Sequence, residues 1–202
     1  MSREKREALD RLVAAIRQSQ TANDRMDEAF ADLLGINRTD GRCLDIVQRL
    51  GQITAGELAR QSGLTTGAVT AVIDRLEMAG YLRRIRDAAD RRKVFVELTE
   101  LAEAITDAVY RRIDEISDAG MGALAIEQLE LIARFLHTGA RLNAVLADFL
   151  RDYVDPQARD PVERLRAAKN FAARVGRERG AIMAEMAAAW NEPPPDIPSG
   201  RR

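Results

Sequence analysis

A chain of 202 residues with 31 Lys and Arg against 32 Asp and Glu, a formal net charge of −1 and 46% apolar content can build a sizeable core; it is neither disordered by composition nor polybasic overall. One cysteine excludes an intrachain disulfide and a cysteine-based metal site, and one histidine removes the usual base or ligand of a catalytic or metal centre, so neither cofactor nor metal is expected. No apolar run reaches the length of a bilayer span, and the charged, amphipathic start MSREKREALDRL has no signal-peptide core, so a cytoplasmic protein without membrane contact is expected.

In chain order, the first predicted helix covers about residues 2–34, with Leu9, Leu12, Val13, Ile16, Met26, Phe30, Leu33 and Leu34 on one stripe. A second covers 37–50; there Cys43 is in register with Ile46, Val47 and Leu50 and reads as a small buried hydrophobe. Thr54 and Glu57 have capping-box spacing, which starts a short helix at Thr54 with Leu58 and Ala59 on its apolar side. Gly63 permits a tight turn, and Thr65 caps another helix whose Val69, Val72, Ile73 and Leu76 repeat at helical spacing. The opposite face of that helix carries Thr66, Gly67, Thr70, Ala71, Asp74 and Arg75. Its N-terminal half is small and nearly uncharged, which permits close approach to base edges in a major groove.

Gly80 stands where a residue past a helix end belongs, and YLRRIR and KVFVEL then read as two strands around the turn DAADRR. Along this hairpin, Arg83, Arg84, Arg86, Arg91, Arg92 and Lys93 face only Asp87 and Asp90, so positive charge is concentrated locally in a chain that is close to neutral. Two long helices follow, over about 99–119 and 126–153, the second with a stripe of Leu129, Ile132, Ala133, Leu136, Ala140, Val145, Phe149 and Leu150. Asp155-Pro156 and Asp160-Pro161 punctuate what comes next; one or two further helices are predicted between Val162 and Trp190, and 192–202 reads as a disordered Pro-rich tail.

The order ELA (Glu57 to Ala59), GL with a capping hydroxyl (Gly63 to Thr65), VT (Val69 to Thr70), DRLE (Asp74 to Glu77), Gly80 to Leu82, Asp87, DRR (Asp90 to Arg92) and LT (Leu98 to Thr99) resembles the winged helix-turn-helix of the MarR family of bacterial transcriptional regulators. The resemblance extends over roughly residues 1–153. It implies a mainly α fold with a small β-hairpin wing: a winged helix-turn-helix lobe over about 37–98, and dimerisation helices over about 2–34 and 99–153 that interlock around a two-fold axis. Residues 154–191 would be an additional helical extension. The implied function is that of a homodimeric repressor that binds a palindromic operator on double-stranded DNA and lets go when a small, mostly apolar effector binds. Thr65, Thr66, Gly67 and Thr70 would then meet bases or phosphates, Arg75, Arg83, Arg84, Arg86, Arg91 and Lys93 the backbone, and Arg92 the minor groove, with Asp87 and Asp90 orienting the wing. Relatives often carry arginine at the position of Ala71, so no operator sequence follows from the resemblance.

Other readings stay open. A winged helix can serve as a protein-interaction module without DNA binding, and some relatives sense oxidants through a reactive cysteine, for which Cys43 is the one candidate. His137, among Phe135, Leu136 and Thr138, reads as structural, while Tyr110 and Arg111 are candidates for lining an effector cavity. The extension reads as an arm that reinforces the dimer, contacts DNA through Arg164, Arg166, Lys169, Arg174, Arg177 and Arg179, or covers a ligand pocket, or else as a helix packed on the body with a solvated basic face. No phosphate-cradling glycine loop, metal spacing or nucleophile with a histidine base supports an enzyme.

Overall fold

Polar caps set most helix starts. In the computed structural model, which describes residues 1–87, 90, 93–157 and 159–194, Ser2 caps α1 (Arg3–Leu34) by accepting the Lys5 N–H, and Asn37 caps α2 (Arg38–Leu50) by accepting that of Asp40. Thr54 caps α3 (Ala55–Ser62) through a 3.2 Å bond from Glu57 N–H; the Glu57 carboxylate turns to Gln61 and Arg60, so the hydroxyl half of the box does the capping. Thr65 caps α4 (Thr66–Met78), accepting from Ala68 N–H at 3.3 Å.

The described residues divide into two compact units, one over 1–114 and the other over 115–194. In the first, the stop at Ala79 is a Schellman arrangement: Gly80 N–H bonds the Glu77 carbonyl, Tyr81 N–H bonds the Leu76 carbonyl, and Gly80 has φ +80°. That left-handed residue sends the chain directly into β2 (Leu82–Arg86), which pairs antiparallel with β3 (Val94–Leu98) in the register Leu82↔Leu98, Arg84↔Val96. A third strand that the sequence did not announce, β1 (Ile53–Thr54), pairs with the other edge of β3, giving the order β1-β3-β2. Thr99 ties the sheet to the next helix, α5 (Glu100–Met121): its hydroxyl donates to the Gly80 carbonyl at 2.6 Å and accepts the Ala102 N–H at 3.2 Å.

The core of this unit is formed by one face of each element. Cys43, Leu44, Ile46 and Val47 from α2, Leu58 from α3, Val69, Val72, Ile73 and Leu76 from α4, and Leu82 and Val96 from the sheet are all buried. The C-terminal end of α1 packs here through Leu34 and Phe30, and the Tyr81 hydroxyl donates to the Leu34 carbonyl at 2.9 Å. Farther back along α1, Leu9, Leu12, Val13 and Met26 are exposed.

The second unit is built from α6 (Ile126–Arg151), α7 (Pro161–Arg177) and α8 (Arg179–Asn191). Two helices therefore form where the sequence allowed one or two, the first started by Asp160, which accepts the Val162 N–H, with Pro161 at the first helical position. Helix α8 lies along α6, burying Ile182 and Ala189; its alanines let the backbones approach, and Arg141 pairs with Glu185 across the contact. Arg174 is part of the packing: it lies 3.9 Å from the Phe149 ring centre, and hydrogen bonds to Asp152 and then Glu178 raise its pKa above the ordinary arginine range. Arg174 is thus held within the fold and not offered to DNA. Among the described residues, no helix is long and apolar enough to cross a membrane. Most of the Pro-rich tail, residues 195–202, lies outside the described residues.

Candidate nucleic-acid interface

The buried stripe of α4 fixes its orientation. With Val69, Val72, Ile73 and Leu76 turned into the core, Thr65, Thr66, Gly67, Thr70, Ala71, Asp74 and Arg75 are left exposed, as the periodicity requires. Thr70 donates its hydroxyl proton to the Thr66 carbonyl at 3.0 Å, which leaves the oxygen as an acceptor toward solvent. A Cβ added at Gly67 would meet nothing within 4 Å. The first two turns of α4 are therefore a low, uncharged surface at a helix N-terminus, suited to a groove lined by base edges and phosphates.

The basic residues separate into two groups. Arg86 on β2 and Lys93 beside β3 are exposed and hold no ion pair among the described residues. Arg75, Arg83 and Arg84 are each bound to carboxylates of the same lobe. Arg75 donates to Asp40 from Nε at 2.9 Å and Nη2 at 2.6 Å, and hydrogen bonding to Asp40 raises its pKa. Asp40 is a residue the sequence reading missed: only 2% exposed, it also accepts from Asn37 Nδ2 at 2.8 Å, so it braces α2 against α4. Its signal was present, because Asp40 falls three and four residues before Cys43 and Leu44 on the core face of α2. Arg83 reaches its cross-strand partner Glu97, and Arg84 is gripped by both Asp74 and Glu77 of α4, with hydrogen bonding to Asp74 the main cause of its raised pKa.

At the hairpin tip the described residues are Asp87, Asp90 and Lys93. Asp87 Oδ1 accepts the Asp90 N–H at 2.9 Å, and the Asp90 carbonyl accepts the Lys93 N–H at 2.8 Å, so the carboxylate of Asp87 and the backbone of Asp90 shape the turn. Arg91 and Arg92, expected at the backbone and in the minor groove, lie outside the described residues.

Two further features belong to the same unit. Cys43 is fully buried, and burial, reinforced by the Asp40 charge, pushes its thiol pKa up, the reverse of what a reactive thiolate needs. A cavity of about 540 Å³ lies among α1, α2, α3 and α5, lined by Asp24, Asp27, Arg38, Arg42, Phe30 and Tyr110 among others. Phe30 and Tyr110 meet edge to face with centroids 5.2 Å apart, and Arg38 binds Asp24 at 2.5 Å. Tyr110 lines this cavity, whereas Arg111 lies toward Asp107 and is not among the lining residues. Among the described residues, no group of His, Cys, Asp and Glu side chains is placed to hold a metal ion.

Residues 36–94, which run from α2 through β2 to the first residue of β3, match the sequence profile of the MarR family. The HTH-type transcriptional regulator YcgE of Bacillus subtilis is 42% identical over 114 residues, which cover 56% of this chain and 73% of that protein. The chain belongs to the MarR family. It is thus a DNA-binding transcriptional regulator and not an enzyme. The multiple antibiotic resistance protein MarR of Salmonella typhimurium is also similar, at 31% identity over 104 residues covering 52% of this chain and 70% of that one. Among solved structures, Streptococcus pneumoniae FabT in complex with DNA shares the fold, with TM-score 0.52 and 21% identity over 69% of this chain and 98% of FabT. Each of these sequence matches spans little more than half of this MarR-family chain.

Proposed function

We propose that this regulator acts as a homodimer, reads a palindromic operator with one α4 per half-site, and represses transcription until a small effector enters the cavity among α1, α2, α3 and α5. The observation that carries the reading is the exposed first half of α4, small and uncharged above a fully buried stripe, with a basic hairpin in the same lobe. Thr65, Thr66, Gly67 and Thr70 approach base edges and phosphates; Arg86, Lys93 and Arg91 hold the backbone, and Arg92 enters the minor groove. Arg75, with Arg83, serves in the free protein to brace the lobe. The dimer reading is supported by exposed leucines on both terminal stripes, Leu9 and Leu12 on α1 and Leu129, Leu136 and Leu150 on α6, which a second chain would cover.

The cavity shifts the effector class. Three aspartates and three arginines line it beside the Phe30–Tyr110 pair, so its chemistry favours an aromatic molecule carrying a charged group over the mostly apolar effector suggested by the sequence resemblance. The test of the whole reading is sequencing of genomic fragments retained by the purified protein. Enrichment of an inverted repeat with half-sites about one helical turn apart is expected. Retention of fragments without a shared repeat, or binding indifferent to salt, would favour a protein-interaction role instead.

A further inference from the structure

Affinity for DNA of arbitrary sequence comes from cations that reach phosphates, whereas discrimination comes from base contacts; a regulator that must ignore most of a genome gains by withholding cations from the first kind of contact. The DNA face of this lobe contains such a withheld cation. Arg84 extends from β2 toward α4 and is gripped by Asp74 and Glu77, which lie three residues apart on the same side of α4. All three side chains are in reach of solvent: Arg84 is 35% exposed, Asp74 55% and Glu77 39%. The trio therefore sits at the surface yet presents a net negative charge, on the helix whose first turns are the proposed reading edge. Arg86, two residues farther along the same strand, has no ion pair among the described residues and provides the contrast.

We propose that Asp74 and Glu77 are specificity-determining residues: by holding Arg84 they keep it off phosphate and depress binding to non-operator DNA, so that the base contacts of α4 decide occupancy. This rests on the DNA face assigned above. It reassigns Arg84 from a backbone contact to a held charge.

The test is fluorescence-anisotropy titration of the full chain against a 30-base-pair duplex of arbitrary sequence over a series of salt concentrations. Releasing Arg84 with Asp74→Asn plus Glu77→Gln is expected to tighten binding roughly tenfold at low salt and steepen the slope of log K against log salt by about one phosphate contact. Adding Arg84→Ala to that pair should return both quantities to wild-type values. Arg84→Ala alone, which does not depend on the stability of the double variant, should leave the salt slope as in the wild type, with binding no tighter because it uncovers the two carboxylates. A flattened slope for Arg84→Ala overturns the proposal, because it means that the residue already holds phosphate; so does a gain that survives in the triple variant, because the carboxylates then repel DNA directly. The DNA-face assignment itself is read separately: Arg86→Ala with Lys93→Ala must flatten the wild-type slope, and if it does not, that assignment fails together with the proposal.

Discussion

Two glycines at opposite ends of α4 separate stability from the proposed approach to DNA. Gly67 lies in the first turn of α4 and Gly80 just past its end; a Cβ built at either meets nothing within 4 Å, so alanine at either position makes no clash and loses no contact. What differs is the backbone. Gly80 has φ +80°, where an L-residue costs about 1–2 kcal/mol, offset in part by the roughly 0.4–1 kcal/mol that alanine removes from unfolded-chain entropy. Gly80→Ala should therefore destabilise by about 1 kcal/mol. Gly67→Ala enters a helical backbone and should stabilise by about 0.5 kcal/mol, less than the interior value because the first turn is only partly hydrogen-bonded. Urea unfolding followed by circular dichroism reads both, and the two variants should move the midpoint in opposite directions. Yet Gly67→Ala, the more stable protein, should bind operator several-fold more weakly, since its methyl stands on the surface that approaches the groove. A Gly80→Ala variant as stable as wild type would refute the left-handed turn, and full operator affinity for Gly67→Ala would refute close approach by α4.

Cys43 should behave as packing: a thiol reagent should leave the native chain unmodified, and peroxide should affect DNA binding no differently in Cys43→Ala. Because burial raises its folded-state pKa above the unfolded one, stability is fully present below the ordinary thiol range and falls as pH rises through it, where the unfolded chain ionises first; Cys43→Ala should abolish that alkaline loss in pH-dependent urea unfolding. Removing residues 1–24 should lower the dimer fraction in sedimentation at micromolar protein and reduce operator affinity without touching a base-contacting residue, since it deletes the exposed Leu9, Leu12 and Val13 but spares Phe30, Ala31 and Leu34 of the lobe.

Local signals carried most of the fold. Ser2, Asn37, Thr54, Thr65 and Asp160 each cap the helix they precede, and the spacing of Val69, Val72, Ile73 and Leu76 was enough to say which side of α4 faces out. What escaped was decided by partners distant in sequence. The strand Ile53–Thr54 is two residues long, too short for any alternation, and exists because Val96 and Phe95 lie alongside it. Charge counting placed Arg75, Arg83 and Arg84 on the DNA face as if each were available; their carboxylate partners are 35, 14 and 7 to 10 residues away, and no local pattern names them. The division of residues 161–191 into two helices at Glu178 was half legible: Gly176 and Gly180 bracket the break, but neither stands at it, and Arg174 holds the Glu178 side chain there.

The most direct measurement of the central claim, a dimer whose two recognition helices occupy successive major grooves, is the affinity for an operator with five base pairs inserted between its half-sites. The insertion rotates one half-site by about half a helical turn while leaving every base contact within it intact. Loss of affinity on the order of a hundredfold is expected, because the second lobe can no longer bind with the advantage of being tethered to the first. Unchanged affinity would contradict the dimeric arrangement and leave each lobe binding alone.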